Sequence, residues 1–262
     1  MHLDLPSPGL GTSGNTGDSC RRAVRDALGI GYRHIDTAQM YDNERAVGRA
    51  LRESGVDRED VVVATKIHPR NLGYEDAKRT ARESLDRLGL DTVDLLYVHW
   101  PIKAYEHKET LQAMDDLHDA GLTRHVAVSN FTPPLLAEAR ALLDAPIVAN
   151  QVECHPLLPQ EELRADAREH GHHLVAYAPL GGGTLTHPTL EAVAAKHDVS
   201  VPVVCLAWAL AQDAVVPIPK ATGDHIRENW AARNLALDDD DLDRIAAIEE
   251  RERLFDRAEM DW

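Results

Sequence analysis

Lysine is nearly absent from this chain: six residues against 22 arginines. Aromatic residues are also few, at 5 % of 262 positions. The three cysteines, Cys20, Cys154 and Cys205, are odd in number and far apart. They match no disulfide framework and no zinc spacing, so buried or idle thiols are expected. No apolar run approaches the roughly 20 residues of a membrane span, so no membrane role is expected. The start, Met1-His2-Leu3-Asp4, has neither a basic region nor an apolar stretch, and a cytoplasmic location is the default. No G-x-G-x-x-G follows any apolar run, which removes the usual mark of a doubly wound dinucleotide-binding sheet.

What is abundant is acid. Asp and Glu number 44 against 28 Lys and Arg, a formal net charge of −16. Such a field disfavours nucleic acid and anionic membrane as partners. An acidic, lysine-poor surface fits a protein from a salt-loaded cytoplasm, and a halophilic chain is the expectation. Hydrophobic residues make up 44 %, enough for a sizeable core. The length fits one large domain, 1–262, better than two.

One pattern recurs: an apolar run of about five residues, then an amphipathic stretch of roughly 10–15. The runs read as buried parallel strands and the stretches as crossover helices. Eight runs are present, at 8–12, 34–37, 61–66, 94–99, 125–129, 147–150, 173–177 and 214–218. Between them, Leu111, Met114 and Leu117 share one helical face, as do Val47, Ala50 and Leu51. Gly31 and Gly121 suit helix C-termini. Eight strand–helix repeats in this length predict an α/β fold, the (β/α)8 or TIM barrel.

Active sites of that fold stand at the C-terminal ends of the strands. Reading each run to its end gives Asp36, Lys66, His99, Ser129-Asn130, Asn150-Gln151-Val152-Glu153, Tyr177 and Lys220. Asp36 and Lys66 come from adjacent strands and can pair. A half-buried pair of this kind is a poor way to add stability but a good way to place charge beside a third group. Tyr41, in the loop after Asp36, is that group. A nearby ammonium favours phenolate, so a lowered Tyr41 pKa is expected. His99 could hydrogen-bond a carbonyl oxygen. Each residue alone has a plain reading: Asp36 as a cap, Tyr41 as a rim aromatic, Lys66 as a solvated strand end, His99 as a satisfied core histidine. The case rests on all four falling at neighbouring strand ends.

At this point the residues resemble a known family, the aldo-keto reductases, in its diketogluconate and aldehyde reductase branch. Gly31-Tyr-Arg-His-Ile-Asp-Thr-Ala38 with Tyr41-Asp-Asn-Glu44 is similar to the family's first signature. Thr65-Lys66, Val98-His-Trp-Pro101, Val128-Ser-Asn-Phe131, Asn150-Gln-Val-Glu-Cys-His-Pro156, Ala176-Tyr-Ala-Pro-Leu-Gly181 and Ile218-Pro-Lys-Ala221 follow in family order. The resemblance covers about residues 8–250. It implies hydride transfer from NADPH, with NADH possible, to an aldehyde or ketone. Tyr41 would protonate the alkoxide, Lys66 held by Asp36 would tune it, and His99 would orient the carbonyl, with Trp100 beside the substrate. Ser129, Asn130 and Gln151 would bind the carboxamide, and Tyr177 would stack on the nicotinamide. Thr12, Leu180 and Gly181 would also line the cofactor. Lys220, Thr222, His225, Glu228 and Asn229 would form its adenosine end. The run Gly181-Gly182-Gly183 suits a phosphate, since such a turn exposes backbone N–H groups.

The sequence departs from the family in two places. An arginine usually clamps the 2′-phosphate after the cofactor lysine, but here His225 or Ile226 stands at that position, with Arg227 adjacent. Histidine lacks the bidentate fork. NADPH first and NADH tolerated is the expectation. Second, the N-terminus is too short for a hairpin plug, Ser13 replaces a common aromatic, and the tail after Glu250 is short. An open pocket for small aldehydes, α-dicarbonyls or sugar-derived ketones follows, in a monomer. Three other readings stay open: a Schiff-base lyase using Lys66 or Lys220, a non-catalytic cofactor-binding sensor or subunit, and a metal hydrolase built on the 14 histidines. No metal-ligand spacing supports the last.

Overall fold

The computed structural model describes residues 3–181 and 185–260. Its described residues hold eight parallel strands, paired in sequence order within one sheet. They are β1 (Leu10–Gly11), β2 (His34–Asp36), β3 (Val62–Ile67), β4 (Val93–Val98), β5 (Thr123–Ser129), β6 (Ile147–Glu153), β7 (His173–Tyr177) and β8 (Val215–Pro217). Each of the eight expected runs overlaps a strand. Between successive strands lie α1 (Gly17–Ile30), α2 (Glu44–Glu53), α3 (Tyr74–Leu88), α4 (His107–Asp119), α5 (Pro133–Leu142) and α6 (Glu161–His170). Two helices, α7 (Pro188–His197) and α8 (Val201–Leu210), precede β8, and α9 (Asp224–Ala231) and α10 (Asp239–Ala246) follow it. The result is a curled parallel sheet with helices, the plan of a (β/α)8 fold.

The helices form where apolar residues recur at helical spacing. In α1 the buried residues are Cys20, Ala23, Val24, Ala27 and Leu28. In α4 they include Leu111, Met114 and Leu117, as the periodicity requires. Gly31, at φ 129°, caps α1 in a conformation that other residues rarely adopt. No single helix among the described residues is long and apolar enough to cross a membrane.

Strand side chains alternate, so the sheet serves two cores. Val63, Leu96, Val98, Val126, Val128 and Leu174 pack outward against the helices. Ala64, Leu95, Tyr97, Ala127, Ala149 and Val175 form a separate inner cluster. The short N-terminal segment supplies Leu5 to that inner cluster, and His173 Nε2 lies 2.8 Å from the Leu3 carbonyl oxygen. Leu3 packs against the same cluster. Backbone bonds also join the two ends of the sheet. Gly9 N donates to Pro217 O (3.0 Å), Gly11 N donates to Pro219 O (3.1 Å), and Gly11 bridges Lys220 in parallel fashion.

All three cysteines are buried and free. Burial pushes the Cys20 thiol up to about 11 and those of Cys154 and Cys205 up to about 12. Buried thiols are among the expectations from the sequence.

Candidate active site

The alternation that builds the inner core also decides what reaches the open end of the sheet. Two residues beyond Ala64 comes Lys66; two beyond Tyr97 comes His99; two beyond Ala127 comes Ser129. Gln151 follows Ala149 and Tyr177 follows Val175 in the same way. Each therefore projects inward just above the inner layer.

Lys66 is fully buried, and its ammonium has three partners. It donates to Asp36 Oδ1, to Thr37 O at 2.9 Å and to Tyr41 Oη at 3.4 Å. A lysine has three N–H donors, so its bonding capacity is matched. The other Asp36 oxygen accepts from Gln151 Nε2 at 2.8 Å. The Tyr41 and His99 rings meet edge to face, with centroids 5.7 Å apart. All four candidate catalytic residues are thus brought together, and the solvated reading of Lys66 is excluded.

Burial alone would lower the Lys66 pKa, but Asp36 and Tyr41 outweigh it and leave it raised. Tyr41 behaves differently from expectation. Burial raises its pKa first, Lys66 pulls it down, Asp36 pushes it up, and the net shift is upward. The lowering expected from the ammonium is present but is overcome by desolvation, which sequence spacing does not report. Burial, then Lys66, His68 and Arg257, hold His99 well below the usual imidazole range. It is neutral at pH 7, and its Nδ1 is buried with no hydrogen-bond partner among the described residues.

The loop that carries Tyr41 is pinned by groups the sequence reading did not single out. Gln39 Nε2 donates to Thr80 O and Ser84 Oγ, both at 3.1 Å, while its Oε1 accepts from His68 N at 2.9 Å. Asn43 Nδ2 donates to Thr12 O (2.9 Å) and Asn15 O (2.8 Å). Glu44, buried, accepts from Thr65 Oγ1 and Arg87 Nε, each at 2.6 Å. Asn43 and Glu44, two and three residues after Tyr41, were a signal of this anchoring, because buried polar groups need partners.

The expected carboxamide and ring contacts also cluster. Ser129 Oγ donates to Gln151 O at 2.8 Å. Asn130 Nδ2 donates to His99 O and Ser129 Oγ at 3.0 Å, and Tyr177 Oη donates to Asn130 Oδ1 at 3.0 Å. Asn130 adopts φ 64°, a left-handed conformation that asparagine tolerates. Thr12 Oγ1 donates to Asp36 O at 2.9 Å, and Trp100 is buried. Leu180 is partly buried, and Gly181 turns with φ 66°. Gly182 and Gly183 lie outside the described residues.

At the far end, Lys220, Thr222, His225 and Arg227 are exposed, and Asn229 is buried. His225 Nδ1 lies 3.1 Å from Glu228 Oε2, and Ser200 Oγ donates to Glu228 Oε1 at 2.6 Å. Gly223, Asp224 and Arg227 line a cavity of about 610 Å³ with Arg25 and Asp26. The sequence reading took the tail after Glu250 only as short and did not foresee its contacts with the strand ends. Leu254 N and Phe255 N donate to the buried Glu153 carboxylate at 2.7 and 2.9 Å. Phe255 meets Tyr177 edge to face, 5.4 Å between centroids. Glu153 had been read only as a strand end.

Comparison with known proteins gives these features a context. The sequence profile of the Aldo/keto reductase family matches residues 7–250. The chain is 40 % identical to methylglyoxal reductase DkgB of Escherichia coli O157:H7 over 257 residues, 96 % of each chain. It is 43 % identical to 2,5-diketo-D-gluconic acid reductase B of a Corynebacterium species, over 95 % of this chain and 91 % of that one. A Bombyx mori aldo-keto reductase solved in complex with NADP superposes with a TM-score of 0.88 at 32 % identity, covering 96 % of this chain and 92 % of that one. The chain belongs to the aldo-keto reductase family and is an NAD(P)H-dependent oxidoreductase that reduces carbonyl compounds.

Proposed function

We propose that Tyr41 is the acid that protonates the carbonyl oxygen, with Lys66, Asp36 and His99 arranged to make that transfer possible. The observation that carries this reading is the Lys66 ammonium, bonded at once to Asp36, Thr37 and Tyr41. A buried cation at the phenol oxygen stabilises the phenolate left when the proton departs, and so acts on the transition state. Asp36 keeps Lys66 charged and aimed, and Gln151 fixes the other Asp36 oxygen. Neutral His99 donates one ring N–H to the carbonyl oxygen and polarises it.

The residues fit a nicotinamide cofactor. A ring of amide and hydroxyl groups from Ser129, Asn130 and Gln151 matches a carboxamide, which needs both donors and acceptors. Tyr177 supplies an aromatic face. When bound, the cofactor supplies hydride to the carbonyl carbon. Thr12, Leu180 and Gly181 would line it. Lys220, Thr222, His225, Glu228, Asn229 and the open N–H groups of α9 would hold its adenosine end. NADPH is the preferred cofactor on the strength of exposed Lys220, and NADH is tolerated because no guanidinium stands at His225.

The substrates are small aldehydes, α-dicarbonyls and sugar-derived ketones. Support comes from the two relatives, whose names carry a dicarbonyl compound each. The wider reading is a cytoplasmic, monomeric, single-domain protein, 1–262, suited to high salt. We read the bonds from Gly9 and Gly11 to the segment after β8 as closing the sheet into a barrel.

The test is loss of NADPH absorbance against an aldehyde panel, with wild type beside Tyr41→Phe. A fall of about two decades or more supports the assignment, the scale of removing a general acid. Equal rates overturn it.

A further inference from the structure

Hydrogen bonds to Asp36, Thr37 and Tyr41 do not account for every neighbour of the Lys66 ammonium. A second tyrosine ring lies against it. Lys66 Nζ stands 5.8 Å over the centroid of Tyr97, besides its contact with the Tyr41 ring. The sheet puts that ring there. Lys66 and Tyr97 are partners in the β3–β4 register, so both side chains point inward. Among the described residues, Tyr97 is the one buried aromatic of the inner cluster. Its partner on β5 is Ala127, and Ala64 and Ala149 belong to the same cluster. These small residues leave room for a phenol, and full burial fixes its ring.

The hydroxyl does not explain the residue. It is buried near Asp36 and Gln151 but forms no regular hydrogen bond among the described residues. Burial first, then Asp36, hold its pKa well above the ordinary phenol range, so it stays neutral. A buried hydroxyl without a regular partner weakens a fold. The ring is different. A tyrosine face attracts a cation, and more strongly where water is excluded. Burial works against the charge on Lys66. The other ionisable groups around this ammonium are Asp36, Tyr41, His34 and His99. Burial keeps both histidines neutral at pH 7, so neither competes for the charge.

We propose that Tyr97 is a positioning residue for the reduction: its ring face keeps Lys66 charged and seated against the Tyr41 hydroxyl. Tyr97 acts through Lys66 rather than on the substrate. That role rests on Tyr41 being the acid.

The test follows reduction of 4-nitrobenzaldehyde by NADPH from about pH 6 to about pH 11. It uses wild type, Tyr97→Met, Tyr97→Phe and Tyr41→Phe. Tyr97→Met removes the ring and keeps an apolar filler; Tyr97→Phe keeps the ring and removes the hydroxyl. In Tyr97→Met, kcat should fall by about tenfold with KM unchanged, the scale of a desolvated cation–π contact. Its alkaline limb should move to lower pH, because Lys66 gives up its proton more readily. In Tyr97→Phe, kcat should stay within about twofold of wild type. Equal losses in the two variants, or a Tyr97→Met rate within about twofold of wild type, overturn the proposal. If Tyr97→Met does not fold, pentafluorophenylalanine at position 97 takes its place. It keeps the shape of the ring and reverses the charge of its face, so the same fall is required of it. Tyr41→Phe separates the two readings. If it reduces the aldehyde as fast as wild type, the assignment of Tyr41 fails and takes this one with it. A slow Tyr41→Phe beside an unaffected Tyr97→Met sinks only the role of Tyr97.

Discussion

The Lys66 ammonium lies 3.4 Å from the Tyr41 hydroxyl oxygen and 5.0 Å from the centroid of the same ring. One cation thus meets both the polar tip and the body of the tyrosine. It opposes the burial of that residue without cancelling it, because Tyr41 still sits above the ordinary phenol range.

That balance fixes the shape of the pH profile. With Tyr41 as the proposed acid, reduction needs it protonated, and a raised pKa keeps it so to higher pH. The kcat/KM for reduction should stay flat through neutrality and fall only above about pH 10, the ordinary tyrosine value. His99 adds no limb near pH 6.5, since it is already neutral there. A fall beginning near pH 8 would mean that Lys66 outweighs burial in the free enzyme.

The same ammonium is a structural risk when altered. Lys66→Met leaves Asp36 as a buried carboxylate with one neutral donor, Gln151. Stability should drop by about 3 kcal/mol or more, as for other buried pairs that lose one partner. Urea unfolding at pH 7 measures it; a change below about 1 kcal/mol would show that Asp36 finds other solvation.

The proposed adenosine end can be tested at one exposed position. His225→Arg introduces the planar fork that histidine lacks. The KM for NADPH should fall and the preference for NADPH over NADH should rise by about tenfold, one charge-assisted bond. Unchanged ratios would place the 2′-phosphate elsewhere along the Lys220 to Asn229 segment.

The acidic surface makes a separate prediction. Activity and melting temperature should hold or rise in molar KCl, where screening relieves self-repulsion. A chain that is intact in dilute buffer and loses activity in molar KCl would remove the case for a salt-loaded origin.

The strands were legible because each is a short apolar run, and their inward residues because alternation is strict. Lys66, His99, Ser129, Gln151 and Tyr177 could all be found by reading each run to its end. Tyr41 needed more, since it lies on a 3-10 turn, Gln39–Tyr41, rather than a strand. Its neighbourhood was legible; its acidity was not, because desolvation depends on what packs around it from distant strands. Arg257 and Phe255 escaped notice for a similar reason. They lie in a segment without helix or strand, and their contacts with Trp100 and Tyr177 span more than 70 residues of chain. No local pattern announces such a contact.

Gly11 gives the junction of the first and last strands a further meaning. A Cβ there would stand 2.6 Å from the Ile218 carbonyl oxygen, so the two backbones can meet only because the side chain is missing. One neighbour of Gly11 is Thr12, bonded to Asp36; its bridge partner is Lys220. In the proposed cofactor pose, the two ends of an extended dinucleotide would be held from a single short piece of backbone. On that proposal, a methyl group at position 11 would disturb both ends together, because the close approach of these strands would set the span between them.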